Sequence, residues 1–361
     1  MNRCTVCVMP DTRPDTPFID GVCAACVNHA ARPEIDWDAR KSDLMALLDR
    51  HDGRCVVPSS GGKDSTYQVM TLLSLGADVT VVTATTCHLT PVGRLNIDNL
   101  ARYARTIEVT PNMTVRAKLN RIGLETVGDI SWPEHVSIFT TPFKVAARMN
   151  ASLMFYGENP QNQYGGPQGS EQAKTMTRRW VSEFGGFLGL RPGDLVGTDG
   201  LTARDMADYT LDGVDTSGIE AHFLGQYLPW DSHRNAEVAL KAGMKQPGPP
   251  SVANWWPHEN WDNAQTGVHD FFMFRKFGYG RGCAQISVDV RNGLVSRDEA
   301  LRWVRNHEGS PPYSYAGVLM PEILDRLGID DGRFWTIAQR FTSSELFDGS
   351  GPVAMLREFM C

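Results

Sequence analysis

The chain has 361 residues, with 35 lysines and arginines against 42 acidic side chains and a formal net charge of −7. Its 42% hydrophobic and 21% charged content is that of a globular protein with a sizeable core. No apolar run approaches the roughly 18 residues of a membrane helix. No apolar leader opens the chain and no Lys/Arg-rich run offers a nucleic-acid face, so neither a membrane nor a nucleic acid is expected as partner.

Eight cysteines are too sparse in a chain this long for the disulfide framework of a small secreted domain, so a reducing, cytoplasmic setting is expected. Cys361 is the last residue and not the fourth from the end, so no prenylation box is read there. The polar, Pro-rich first thirty residues hold Cys4 and Cys7, then Cys23 and Cys26, two C-x₂-C pairs with fifteen residues between them. That is the spacing of a structural zinc site. Four thiolates closing a tetrahedron around Zn²⁺ leave no position for substrate, so the metal would fold residues 1–35 and take no part in chemistry. Cys55, Cys87, Cys283 and Cys361 are scattered and read as core or surface residues.

Between Asp36 and His51, Leu44, Leu47 and Leu48 recur at helical spacing. "CVVP" at 55–58 reads as a strand, "STYQVMTLLSL" as a helix stopped by Gly76, and "ADVTVVTATT" as a second strand. Strand, glycine-rich turn, helix and strand make a βαβ unit with a parallel sheet and a right-handed crossover. Helices are expected near Asn96–Arg105, Thr114–Glu125 and Pro133–Asn150, and strands at "TIEVTP" and "SLMFYGEN". The fold class is therefore α/β, a doubly wound parallel sheet over residues 36–290. From about 180 to 262 the periodicity fades while Gly, Pro and Asp rise and Trp230, Trp255, Trp256 and Trp261 gather, and this stretch reads as an insertion on the substrate side. Ser296 with Glu299 three residues on is a capping box, and residues 291–361 read as a helical C-terminal segment.

The string "SSGGKDS" at 59–65 stands between the first strand and its helix. Backbone N–H groups of such a turn converge on an anion, and the positive end of the following helix adds to the attraction. Gly61 and Gly62 are adjacent and Asp64 follows Lys63, so the spacing is neither G-x-x-x-x-G-K-[ST] nor G-x-G-x-x-G.

The string resembles that of the PP-loop ATP pyrophosphatase superfamily, of adenine nucleotide alpha-hydrolase-like fold, whose members cleave ATP between the α and β phosphates and adenylate a carbonyl. The resemblance implies that Ser60, Gly61, Gly62 and Ser65 cradle pyrophosphate, with Lys63 as a further contact, Asp64 near Mg²⁺, and "VTVVTAT" beside adenine. The opening "CVMPDTRPDTPFIDGVCAAC", "FYGENPQNQYGGP", "QYLPWD" and "HDFFMFRKFGYGRG" together resemble the N-acetyl sugar amidotransferases of bacterial surface-polysaccharide and O-antigen biosynthesis, from Cys4 to about Val304.

That resemblance implies an AMP-forming enzyme that converts the acetamido group of a nucleotide-linked or nonulosonic N-acetyl sugar into an acetamidine. On that resemblance Gly157 is expected to bring backbone close to ligand, and Glu158 to orient a sugar hydroxyl, bind Mg²⁺ or steer ammonia. Asn159 and Tyr164 are expected sugar contacts, and Lys276 and Arg281 are candidates to neutralise pyrophosphate. Gln163, Cys283 and Ala284 depart from the family pattern. His269 and Asp270 follow it and read equally well as cap or core residues, while the tryptophans either stack on ligand or pack. No glutaminase nucleophile stands in the chain, so the resemblance implies separate glutaminase and cyclase-like ammonia-channelling subunits of histidine-biosynthesis type. A tRNA-thiolating PP-loop enzyme is the alternative, and it predicts a basic RNA face that the net charge of −7 disfavours.

Overall fold

The computed structural model describes residues 1–360 apart from 15, 161–172, 174, 178–179, 182–185, 251, 350 and 352–353. Its first elements are a two-stranded antiparallel hairpin, β1 (Phe18–Ile19) and β2 (Val22–Cys23), running into helix α1 (Ala24–Ala30). Helix α2 (Trp37–Arg50) follows, its first turn closed by the Asp36 carboxylate accepting from Ala39 N–H at 2.9 Å.

The centre is a five-stranded parallel sheet of β3 (Arg54–Pro58), β4 (Asp78–Ala84), β5 (Arg105–Val109), β6 (Leu153–Tyr156) and β7 (Glu220–Phe223), in the spatial order β5-β4-β3-β6-β7. Residues alternate between its faces. Cys55, Val57, Val79 and Val81 meet Leu44, Leu47 and Leu48 of α2 and Val69 and Leu72 of α3 (Lys63–Ser74). Val56, Val82, Met154 and Tyr156 meet Phe143, Val145 and Ala146 of α6 (Trp132–Arg148), which follows α4 (Pro91–Leu100) and α5 (Met113–Val127). Helices thus cover both faces, and the chain turns from one edge to the other between β3 and β6. In open α/β sheets that reversal opens a crevice at the carboxyl ends of the strands. Pro58 and Tyr156 end β3 and β6, so the loops after them, 59–62 and 157–159, meet at that crevice.

Two expectations change. The helix placed at Asn96–Arg105 begins earlier, at Pro91, because the Thr90 hydroxyl accepts from Gly93 N–H at 2.9 Å and proline suits the first helical position. The stretch 180–262 carries β7, the edge strand of the sheet, and α7 (Ser232–Lys241), which packs along α3. It is part of the sheet layer. Four residues, one of them His222 bonded to Tyr227, are too few to show a strand period.

The rest is helical: α8 (Thr266–Phe277), α9 (Arg281–Arg291), α10 (Arg297–His307), α11 (Met320–Leu327) and α12 (Asp331–Phe341), with two short hairpins. Ser296 caps α10 as expected, accepting from Glu299 N–H at 3.3 Å. Among the described residues no helix is long and apolar enough to cross a membrane.

Candidate active site

The loop at 59–62 turns on one glycine whose position leaves no room for a side chain. Gly61 has φ +81°, and a Cβ there would lie 2.8 Å from backbone atoms of Asn96 and Ile97 in α4. Gly62 has ordinary extended backbone and caps α3 without a side chain, leaving the first-turn N–H groups of that helix for an anion. The Ser59 hydroxyl accepts from Gly61 N–H at 2.9 Å and bonds Ser65 Oγ at 2.8 Å, which fixes the turn from inside.

Ser60, Gly62, Lys63, Asp64, Ser65, Gly157 and Glu158 all line one cavity of about 500 Å³. Lys63 is 4% exposed, and its ammonium is held between the Asp64 carboxylate and Glu259 Oε1, the latter at 2.6 Å. Burial pulls the lysine pKa down, but the two carboxylates outweigh it and hold the group above its ordinary value. Asp64 also accepts from the Asn235 amide of α7 at 2.9 Å, so α7 orients the carboxylate expected near Mg²⁺. Glu158 is pushed up to about 7 by burial and then by the charge of Asp64. Gly157 lets β6 run under Trp230, whose ring carbons would lie 3.0 Å from an added Cβ.

Asn159 is buried, its amide donating to Ala173 O at 3.3 Å, and it faces a neighbouring cavity that also touches Glu158. Tyr164 and Gln163 lie outside the described residues. Lys276 and Arg281 do not line the 500 Å³ cavity. The Lys276 ammonium donates to Val127 O at 3.2 Å, and burial lowers its pKa. The Arg281 guanidinium forks onto the buried Asp270 carboxylate with two bonds of 2.9 Å. His269 donates from Nδ1 to Asp129 Oδ1 at 2.8 Å, and His135 Nδ1 stands 3.0 Å from the other oxygen. Burial raises the Asp129 carboxyl, yet the two imidazoles hold it well below the ordinary carboxylate range.

His258, Glu259 and Asp262 also line the cavity. Burial, then Lys63, lowers His258 to about 4, and burial raises Asp262. They come from "WWPHENWDN", whose tryptophans read as either stacking on ligand or packing. Trp255 and Trp256 donate their indole N–H groups to Asp289 Oδ2 at 2.7 and 3.0 Å, and Trp261 donates to Pro257 O at 2.7 Å. These three indoles brace the loop. Only the alternation of polar and aromatic residues there hinted at its role.

The four cysteines of the N-terminal segment are all buried, and their sulfurs lie within 4.8 Å of one another, with Cys7 and Cys23 at 3.6 Å. Zinc–sulfur bonds of about 2.3 Å set tetrahedral edges near 3.8 Å, so the set fits zinc. The backbone N–H groups of Cys7 and Cys23 point at Cys4 Sγ, at 3.5 and 3.3 Å. Cys55, Cys87 and Cys283 are buried, in keeping with their reading as core residues.

No curated protein sequence matches the chain. Among solved structures, NMN synthetase from Francisella tularensis aligns with 60% of this chain and 99% of its own length, at 14% identity and a TM-score of 0.28. Residues 252–359 match the family described as LPS biosynthesis protein WbpG-like, C-terminal domain. The segment that brings His258, Glu259 and Asp262 to the PP-loop is thus similar to a WbpG-like lipopolysaccharide-biosynthesis domain.

Proposed function

We propose that this protein is an ATP-dependent amidotransferase that turns the acetamido group of an N-acetyl sugar into an acetamidine. The observation that carries the reading is the meeting, in one cavity, of the PP-loop, Glu158 and the WbpG-like segment. An acetamido carbonyl is a poor electrophile because its nitrogen lone pair is delocalised into it. Its oxygen attacks the α-phosphorus of ATP and pyrophosphate leaves. Ammonia then attacks the carbon, AMP departs with the former carbonyl oxygen, and the amidine remains.

The residues have distinct tasks in that sequence. The α3 N-terminus and Lys63 receive the departing pyrophosphate, for which preorganised donors are the largest protein contribution. Asp64, held by Asn235, and Glu259 are placed to hold Mg²⁺, which would draw charge from the phosphates as they separate. Glu158, with its pKa of about 7, exchanges protons near neutral pH and takes the proton that ammonia sheds on attack. The four cysteines would hold Zn²⁺, which supplies folding energy and no chemistry. Ammonia comes from separate glutaminase and cyclase-like subunits.

The test is to incubate the protein with ATP, Mg²⁺, an ammonium salt and UDP-N-acetyl sugars or nonulosonic acids. AMP is expected together with a sugar lighter by the difference between O and NH. AMP formation that requires tRNA, or none under any condition, would overturn the reading.

A further inference from the structure

A second cavity, of about 270 Å³, shares Glu158 with the PP-loop cavity and is otherwise walled by different elements. The cysteine-bearing segment contributes Ala25 and His29 of α1 and then Arg32, α2 contributes Arg40, and Trp230 and Arg291 face them. In a chain of net charge −7, three arginines meet here. Asp231 and Glu158 are the carboxylates on this wall, and Arg291 also donates to Cys7 Sγ at 3.9 Å. Asp231 accepts from Arg234 N–H at 2.7 Å as the cap of α7, and Glu158 also faces the PP-loop. The Trp230 indole N–H is buried and makes no hydrogen bond among the described residues. Burial, and then the positive field of Arg32 and Arg291, holds the His29 imidazole below its ordinary range.

We propose that this cavity binds the acceptor through an anionic group of the sugar, a phosphate or a carboxylate gripped by the arginines, and so delivers the acetamido group to Glu158. The inference rests on the amidotransferase reading and adds the place and charge of its acceptor. A guanidinium fork matches either anion bidentately. A volume of 270 Å³ lies just below the roughly 300–1,000 Å³ of drug-sized pockets, which suits one sugar ring and its charged substituent. The cysteine segment is then more than a folded appendage, because its helix is a wall of the acceptor site.

Calorimetric titration of the full chain with UDP-N-acetylglucosamine, N-acetylneuraminic acid and neutral N-acetylglucosamine tests this. One or both anionic sugars bind at least about tenfold more tightly than the neutral one, and Arg40→Gln erases that difference while ATP affinity stays unchanged. Arg40→Lys restores part of it, so the answer does not hang on one variant folding. Preference for the UDP sugar identifies the phosphates as the anion, and preference for the acid identifies the carboxylate. Equal affinity for charged and neutral sugars, or anion affinity indifferent to Arg40, overturns the proposal. If AMP and amidine form with a KM that Arg40→Gln does not raise, the inference fails and the reaction stands. If arginine-dependent binding occurs without amidine, the site stands and the reaction fails.

Discussion

The ammonium of Lys63 lies 2.6 Å from Glu259 Oε1 and also pairs with Asp64, so the first residue of α3 is clamped between its neighbour and a loop from the WbpG-like segment. In this state the Lys63 ammonium is already neutralised by carboxylates. Under the proposed function, phosphate arrival exchanges those partners.

Glu259→Gln removes one carboxylate from a lysine that is 4% exposed. With Asp64 still in place, the expected loss is about 1–3 kcal/mol of stability. Sodium pyrophosphate should then raise the melting temperature more in the variant than in the parent, because the anion replaces the missing charge without competing with it. Equal shifts in thermal denaturation would remove Glu259 from the phosphate site.

The two loop glycines should separate in an unfolding titration. Gly61→Ala places a Cβ 2.8 Å from the α4 backbone at a φ of +81°, at a cost of about 2–4 kcal/mol. Gly62→Ala meets only Ser60 Oγ, at 3.5 Å, and should leave stability within about 1 kcal/mol. The same loss at both positions would contradict this backbone.

Glu158 makes a signed statement about pH. Its folded-state pKa is raised from 4.5 to about 7, so its stabilising effect is full below the unfolded value and is lost as pH rises through about 7. Chemical denaturation of Glu158→Gln between those limits should lack that decline. In the amidation assay the parent rate rises through the same window, because the carboxylate form accepts the proton, and the variant rate is flat and low.

Zinc should be present at about one atom per chain and should be released by a strong chelator with loss of structure. The Arg297 guanidinium donates to Cys4 O and Cys7 O at 3.1 and 3.0 Å, so the knuckle is tied to the start of α10. Cys23→Ser should therefore raise amide exchange in α9 and α10 as well as in residues 1–30. Exchange confined to the first thirty residues would show that the knuckle is energetically separate.

Much of the centre was legible because its signals are local. The βαβ order, the Gly-Gly turn and the paired cysteines each lie within a few residues, and all sit where the sequence places them. What escaped depends on distance. β7 is four residues long and becomes a strand only by pairing with β6. Asn235 reaches Asp64 across 171 residues of chain. Glu259 and Asp262 look like loop acids until the fold sets them against Lys63 and Ser60. Lys276 and Arg281, assigned to pyrophosphate by the resemblance, rest here against Val127 O and Asp270 and off the cavity lining, with Arg281 still close enough to feel the charges of Glu259 and Asp262.

The contact between α4 and the WbpG-like segment is backbone against backbone. A Cβ at Gly93 would lie 2.8 Å from Asp262 Cα, Thr90 N–H bonds Asp262 O at 2.9 Å, and Leu89 bridges Asn263. Such a seam tolerates no side chain between its two sides. The sheet half and the C-terminal half are therefore matched to each other at the backbone. A chimaera that joins the loop at 59–62 to a foreign C-terminal partner is expected to inherit the loop but not the cavity.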